Sequence, residues 1–312
     1  MRIDENIHVL SITDSRNVQH LAVTICSLLI NKAPESRVCL HVLHDDLTRV
    51  NQMRLELIAE QYGAEIRFHR WEEMTDLHAG DVNPDLKAAY RKLSIPSLPS
   101  LLSVSRAIYL DSDIVVTGDI STLWATDLAG RVIGAVRDFR GAGRRKELNL
   151  PAGWPYFNAG VLLIDMDQWR GRGITEKAWA FIRRYPDKLL HHDQDALNAV
   201  LQAEWLELPV GWNCHTDRIT RKQAMAGLPA IIHFAGESKP WHYDNDHPFQ
   251  GEYYRYLRMT GWRSYEPEKN RSLVMKRFRK RLKKQLFPTA AYSWLTKLKS
   301  MLTEKADRKE WF

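Results

Sequence analysis

The sequence predicts an α/β protein with a mostly parallel sheet and flanking helices, and three observations carry that prediction. Apolar runs of strand length recur from residue 8 onward, amphipathic stretches of helix length separate them, and the fourth run ends by delivering two carboxylates to a polar turn. A helix-length connection returns the chain to the start of the next strand, so this alternation reads as parallel pairing with helices on the faces. In such sheets ligands bind beyond the carboxyl ends of the strands, where that acidic turn falls.

Taken in order, His8–Ile12 reads as a buried strand, about Val18–Asn31 as a helix and Arg37–His44 as a second strand. A helix near Leu47–Tyr62 and a strand at Glu65–Trp71 complete a βαβαβ opening. Arg106–Leu110 is the fourth strand and ends at Asp111. Val132–Val136 and Gly160–Ile164 read as strands, Ile174–Tyr185 as an amphipathic helix, and Asp193–Leu201 as a helix with acidic residues at its start. Ile231–Phe234 is a last short strand.

The chain has 312 residues, 44% of them hydrophobic, enough for one large domain or two small ones. Residues 1–270 show no internal repeat and no pooled Gly or Pro, so they read as one domain, with the polar, turn-rich stretch Met259–Asn270 marking its end. Residues 271–312 form a basic tail: they hold 13 Lys and Arg against 3 Asp and Glu, which leaves 32 basic and 35 acidic groups in the rest and concentrates the net charge of +7 in the tail. Met275–Phe287 sets Phe278, Leu282, Leu286 and Phe287 among basic residues at near-helical spacing, and Tyr292–Leu302 repeats the pattern. A basic amphipathic helix is suited to an anionic membrane surface, where each Lys or Arg contributes about 1 kcal/mol, and the same composition also fits a solvated basic tail. Nucleic acid is a poor fit, because residues 1–270 hold no basic excess to line a groove. No run approaches the roughly 20 apolar residues that cross a bilayer. The N-terminus lacks the pattern of an export signal, and three cysteines without CxxC spacing argue against a disulfide framework. The expected location is the cytoplasm, peripheral to the membrane.

Four segments carry candidate chemistry. Asp111-Ser112-Asp113 places two carboxylates one residue apart at a strand end, a pair that suits a hard divalent cation shared with substrate phosphates; the same pair also serves as a capping turn. An aspartyl-nucleophile phosphatase would use the residues differently, with the first Asp attacking phosphorus, but its motif ends the first strand of the core rather than the fourth. Ile231–Trp241 supplies His233, Gly236 and Lys239 at three-residue intervals: an imidazole ligand or a structural histidine, a glycine for close backbone approach, and a point charge for phosphate. Asn158, before the apolar run that follows Gly160, suits a sugar hydroxyl or its own turn. His191–Asp195 opens a helix where Asp193 or Asp195 is a natural N-cap and Gln194 is not.

Together and in this order, YLDSDIVV, FNAGVLLID, HDQDALN and HFAGESKPWH resemble glycosyltransferase family 8, most closely its bacterial lipopolysaccharide α-galactosyltransferases and α-glucosyltransferases, over about residues 5–250. The resemblance implies a GT-A-type, Rossmann-like fold, a UDP-galactose or UDP-glucose donor, Mn2+ or Mg2+, a saccharide or glycolipid acceptor such as lipopolysaccharide, and transfer with retention of configuration. It places Asp111, Asp113 and His233 as metal ligands, with Ser112 between them on the donor side, and Gly236 and Lys239 at the diphosphate. It places Arg91 near the donor and Asp138, Asn158, Asp193 and Gln194 along the donor sugar, Gln194 nearest the anomeric carbon. Asp14 matches the start of the nucleoside pocket. The chain departs from the family just after it, where Ser15-Arg16-Asn17 replaces an aromatic-bearing run and leaves Arg16 to stack on the base or pair with a phosphate. Because an amide is a poor nucleophile, Gln194 implies front-face attack, with Lys239 stabilising the departing UDP. A non-catalytic scaffold on the same fold is opposed by the presence of Asp111, Asp113, His233 and Lys239.

Overall fold

A computed structural model describes residues 6–71, 90–151, 153–215, 227–269 and 271–286. Its strands are β1 Asn6–Thr13, β2 Arg37–His44, β3 Glu65–Arg70, β4 Arg106–Leu110, β5 Ile114–Val116, β6 Ile133–Arg137, β7 Phe157–Asp165, β8 Trp205–Glu207, β9 Cys214–His215 and β10 Ile231–His233. Its helices are α1 Val18–Asn31, α2 Arg49–Gln61, α3 Ile120–Trp124, α4 Arg144–Glu147, α5 Met166–Gly171, α6 Ile174–Arg184, α7 His192–Val200, α8 Gln250–Leu257 and α9 Arg271–Leu286, with short 3-10 turns between, among them Arg91–Ser97.

Seven strands form the main sheet in the order β3-β2-β1-β4-β7-β6-β8, and β5-β10-β9 form a small second sheet. Pairing is parallel among β3, β2, β1 and β4 and between β6 and β8, as expected, but β7 runs antiparallel to both β4 and β6. The reason is local. The chain returns from β6 to β7 without a full crossover helix, so the two pair as an arch. The strands β5, β8 and β9 escaped the sequence reading because two or three residues carry no period.

Successive residues of the central strands face opposite sides. Leu10, Tyr109 and Leu162 join Trp169, Trp179 and Leu197 in one core, while Val9, Ile108 and Val161 join Leu21, Ile25, Leu55 and Ile120 in the other. Burial on both faces is why these strands read as continuous apolar runs. Helix α1 also carries a polar row at helical spacing. Thr24 Oγ1 donates to Ile114 O at 2.8 Å, Ser27 Oγ accepts from Val116 N at 2.9 Å, and Asn31 Nδ2 donates to Val116 O at 3.1 Å. These bonds satisfy the outer edge of β5, the strand that follows Asp113, and leaving such buried groups unpaired costs about 1–3 kcal/mol each.

Two elements begin earlier than expected. Strand β7 starts at Phe157, so Asn158 lies inside it, paired with Val136, rather than in a preceding turn. Helix α7 starts at His192 with His191 at its N-cap and no side-chain capping bond, so neither Asp193 nor Asp195 takes that position.

The chain divides into two compact units, Met1–Glu237 with Pro248–Ser264, and Ser238–His247 with Tyr265–Phe312. The sequence predicts one boundary, at Asn270; here the segment Ser238–His247 groups with the C-terminal residues in the second unit. Within that unit, Tyr265 OH donates to Trp241 O at 3.4 Å and the Arg277 guanidinium lies over Tyr243, 4.9 Å from the ring centre. Helix α9 leaves Val274, Met275, Phe278 and Leu282 exposed, close to one helical stripe, among basic residues. The second amphipathic stretch, Tyr292–Leu302, lies outside the described residues. Among the described residues no helix is long and apolar enough to cross a membrane.

Candidate active site

Asp111 follows β4 and Asp113 precedes β5, and the antiparallel pairing of β5 with β10 sets His233 opposite Ile114. Backbone bonds hold the three together: Asp111 N donates to Gly160 O at 2.9 Å and Phe234 N donates to Asp113 O at 3.0 Å. His233 Nε2 lies 3.3 Å from Asp113 Oδ1 and 3.9 Å from Asp111 Oδ2, and one ligand atom from each residue falls within 4.8 Å of the others. Two carboxylate oxygens and one imidazole nitrogen at this spacing fit a single Mn2+ or Mg2+ with positions left for phosphate oxygens.

The imidazole is oriented for that task by an amide chain whose polarity backbone groups settle. Gly160 N–H donates to Asn158 Oδ1 at 2.9 Å, so Asn213, 2.8 Å from the same oxygen, presents its Nδ2 there. Its Oδ1 is thereby turned to His233 Nδ1 at 2.8 Å, which places the ring proton on Nδ1 and a lone pair on Nε2, facing the carboxylates. Ala159 N–H likewise fixes Gln194 Oε1, at 3.1 Å, and Asn158 Nδ2 donates to that oxygen at 3.0 Å. Gln194 Nε2 continues to Tyr156 OH at 3.1 Å, and Tyr156 donates to Asp195 Oδ1 at 2.7 Å, where the carboxylate is buried against Arg144. Burial, with the Asp195 charge behind it, raises the Tyr156 hydroxyl far above its ordinary value and keeps it a donor.

Lys92 joins the two halves of the site. Its Nζ lies 2.9 Å from Asp193 Oδ2, 3.4 Å from Asp111 Oδ1 and 3.0 Å from Ala159 O, over the Tyr109 ring. Burial opposes the ammonium charge, but Asp111 and Asp193 outweigh it and hold Lys92 well above its ordinary range. Tyr109 OH donates to Asp111 Oδ1 at 2.9 Å, on the same side. Gly160 lets β7 pass close by, since a Cβ there would stand 2.3 Å from His233 Cε1 and 2.7 Å from Asp111 Oδ2.

Over residues 2–245 the chain matches the description Glycosyl transferase family 8. The chain belongs to that family. It is 38% identical over 276 residues to General stress protein A of Bacillus subtilis, covering 84% of this chain and 96% of that one. It is 29% identical over 196 residues to lipopolysaccharide 1,2-glucosyltransferase of Escherichia coli K12, covering 58% and 57%. The solved structure of galactosyltransferase LgtC with donor and acceptor sugar analogs aligns at a TM-score of 0.71 and 22% identity, covering 86% of this chain and 100% of that one. The shared fold is GT-A.

In this family 8 chain, the remaining expected positions fall as follows. Asp138 follows β6, and its Oδ2 is 3.5 Å from Gln194 Nε2. Ser112 gives its carbonyl to Thr24 Oγ1 at 3.2 Å. Gly236 has φ +96° and open space where a Cβ would sit, as a backbone approached by a ligand requires. Lys239 belongs to the second unit, where its N–H donates to His242 Nδ1 at 3.3 Å. Asp14 is engaged by its own turn: Oδ1 accepts from Asn17 N at 2.8 Å and Arg16 N at 3.0 Å, and Oδ2 accepts from Arg16 Nη2 at 3.0 Å. Arg16 thus folds back on Asp14 while staying largely exposed. Arg91 pairs with Asp45 and lies over the Trp71 ring, whereas its neighbour Lys92 reaches the acidic cluster. Lys92, Asn213 and Tyr109 were missed by sequence reasoning. Only Lys92 left a signal there: a cation between buried Tyr90 and Leu93 needs a partner.

Proposed function

We propose that the chain transfers galactose or glucose from a UDP-sugar to a saccharide or glycolipid acceptor, with retention of configuration. The observation that carries this reading is the continuous link from the Asp111, Asp113 and His233 cluster through Asn213 and Asn158 to Gln194. Bound by those three side chains, Mn2+ or Mg2+ would supply positive charge to the leaving diphosphate. Gly236 offers a backbone that phosphate can approach, and the family resemblance implies a diphosphate contact for Lys239. Asp138, Asn158, Asp193 and Gln194 are assigned to the donor sugar.

Two features favour front-face attack over a covalent intermediate. Gln194 is an amide with both ends hydrogen-bonded, and the Asp193 carboxylate is held by Lys92. The departing UDP oxygen then accepts the acceptor's proton, while Lys92 keeps the charges of Asp111 and Asp193 balanced. The acceptor reading, lipopolysaccharide or a related glycolipid, draws support from the lipopolysaccharide 1,2-glucosyltransferase relative. The exposed apolar stripe of α9 among its basic residues supports attachment to the cytoplasmic membrane face.

A panel of nucleotide sugars with Mn2+, scored by UDP release, tests the donor reading, and NMR of the product anomer tests retention. Turnover with UDP-galactose or UDP-glucose that a chelator abolishes is expected. Chelator-insensitive turnover overturns the metal assignment, and phosphomonoester hydrolysis instead would favour the aspartyl phosphatase reading. Full-length protein is expected to sediment with anionic vesicles, and a chain ending at Asn270 to stay in solution; equal sedimentation refutes the membrane role.

A further inference from the structure

A second set of ligand-type side chains converges elsewhere in the sheet. The parallel register sets His8 on β1 opposite Cys39 on β2, and Cys39 and His41, two residues apart, share one face. His8 Nδ1 lies 2.9 Å from His41 Nε2, Cys39 Sγ lies 3.4 Å from the same nitrogen, and all three donor atoms fall within 4.8 Å of one another. All three residues are buried, at 5%, 1% and 1% exposure. We propose that His8, Cys39 and His41 form a second cation site, for a borderline-soft divalent ion of the zinc class.

The chemistry of the donors selects the ion. Two imidazoles and a thiolate are ligands for zinc and its neighbours, whereas Mg2+ and Mn2+ prefer the oxygen-rich Asp111 cluster. Tetrahedral zinc, with Zn–N about 2.0 Å and Zn–S about 2.3 Å, needs N to N of about 3.3 Å and N to S of about 3.5 Å, within a few tenths of an ångström of the 2.9 Å and 3.4 Å that separate His41 Nε2 from His8 Nδ1 and Cys39 Sγ. The outer contacts are those of a ligating histidine. His41 Nδ1 lies 3.0 Å from His69 Nε2, and His69 Nδ1 lies 2.9 Å from Ser100 Oγ. With His41 donating through Nδ1, its Nε2 turns a lone pair toward Cys39 and His8. Exposed Glu65, on β3 at the edge of the sheet among the described residues, stands in register with Cys39.

The site is independent of the glycosyl transfer reading. Val9 pairs with Ile108, which puts His8 level with Ala107, several residues before Asp111 along the strand direction. Its ligands come from neighbouring strands, so the ion would tie β1 to β2 and raise thermal stability by mass action.

Cobalt, a spectroscopic substitute for zinc, tests the proposal in the full chain carrying Asp111→Asn and Asp113→Asn, stripped with a chelator. The expected result is one equivalent of Co2+ with thiolate-to-cobalt charge-transfer absorption, displaced by Zn2+. Cys39→Ser in that background should abolish the absorption while Cys214→Ser leaves it intact, and His69→Ala should weaken affinity about tenfold. Absence of the absorption, its survival in a folded Cys39→Ser chain, or its presence only when Asp111 and Asp113 are intact would overturn the site. Should Cys39→Ser not fold, His8→Asn makes the same test, and unchanged absorption and affinity there count equally against it.

Discussion

The two clusters of ligand-type residues in this chain are built in opposite ways. Asp111, Asp113 and His233 meet at strand ends, come from positions some 120 residues apart, and combine partly buried carboxylates with a buried imidazole. His8, Cys39 and His41 come from adjacent strands, are buried, and offer nitrogen and sulfur. The first arrangement offers oxygen ligands at strand ends, where a hard ion would keep coordination positions for a substrate's oxygens. The second is buried and offers three nitrogen and sulfur ligands, to which a softer ion would add a fourth ligand. Donor chemistry and exposure together set the two clusters apart: oxygen-rich ligands suit a hard ion, nitrogen and sulfur ligands a softer one.

The largest effect that sharpens this contrast belongs to the open cluster. Asp111→Asn or Asp113→Asn should cut UDP release by about 10²–10³-fold with little change in melting temperature, because the isosteric amide keeps the packing and removes only the charge. A fall in stability with turnover intact would break the contrast. Next, Lys92→Met should cost about 3–5 kcal/mol in a denaturant titration as well as activity, since it strands Asp193 and removes the counter-charge of Asp111. Retained stability would mean that the carboxylates do not depend on it.

A smaller effect is expected at Asn213, which orients His233 without reaching the cluster itself. Asn213→Ala should weaken Mn2+ binding about 10–100-fold and be partly compensated by added metal, whereas loss of turnover at saturating Mn2+ would assign Asn213 a further role. The smallest effect lies in the C-terminal unit. Burial holds the His247 imidazole down to about 4 from 6.5, so the unfolded state binds the extra proton between these values. Stability should therefore fall as pH drops from about 6.5 to about 4, by an amount that His247→Gln reduces; an identical pH profile for both chains would exclude this histidine as the cause.

Much of the fold was legible because the central strands are buried on both faces and the helices between them keep their apolar period. The antiparallel course of β7 was not, since strand direction depends on how the connection packs and leaves no mark in the strand's composition. In the site, the acidic turn and the His233 segment were legible as residue types suited to a hard cation. Lys92 was overlooked beside Arg91 because adjacent residues of one short 3-10 turn point in different directions, one toward Asp45 and the other into the cluster.

By itself the sequence determined the order of the longer strands and helices, the acidic turn at the end of β4 and the basic character of the C-terminal helix, because these follow from local period and composition. Only the tertiary structure decided that Asn213 turns His233 toward the carboxylates, that Gly160 makes room for both, and that His8 stands beside Cys39. Each is a meeting of side chains from separate strands, and the register that brings them together is set by packing across the whole sheet.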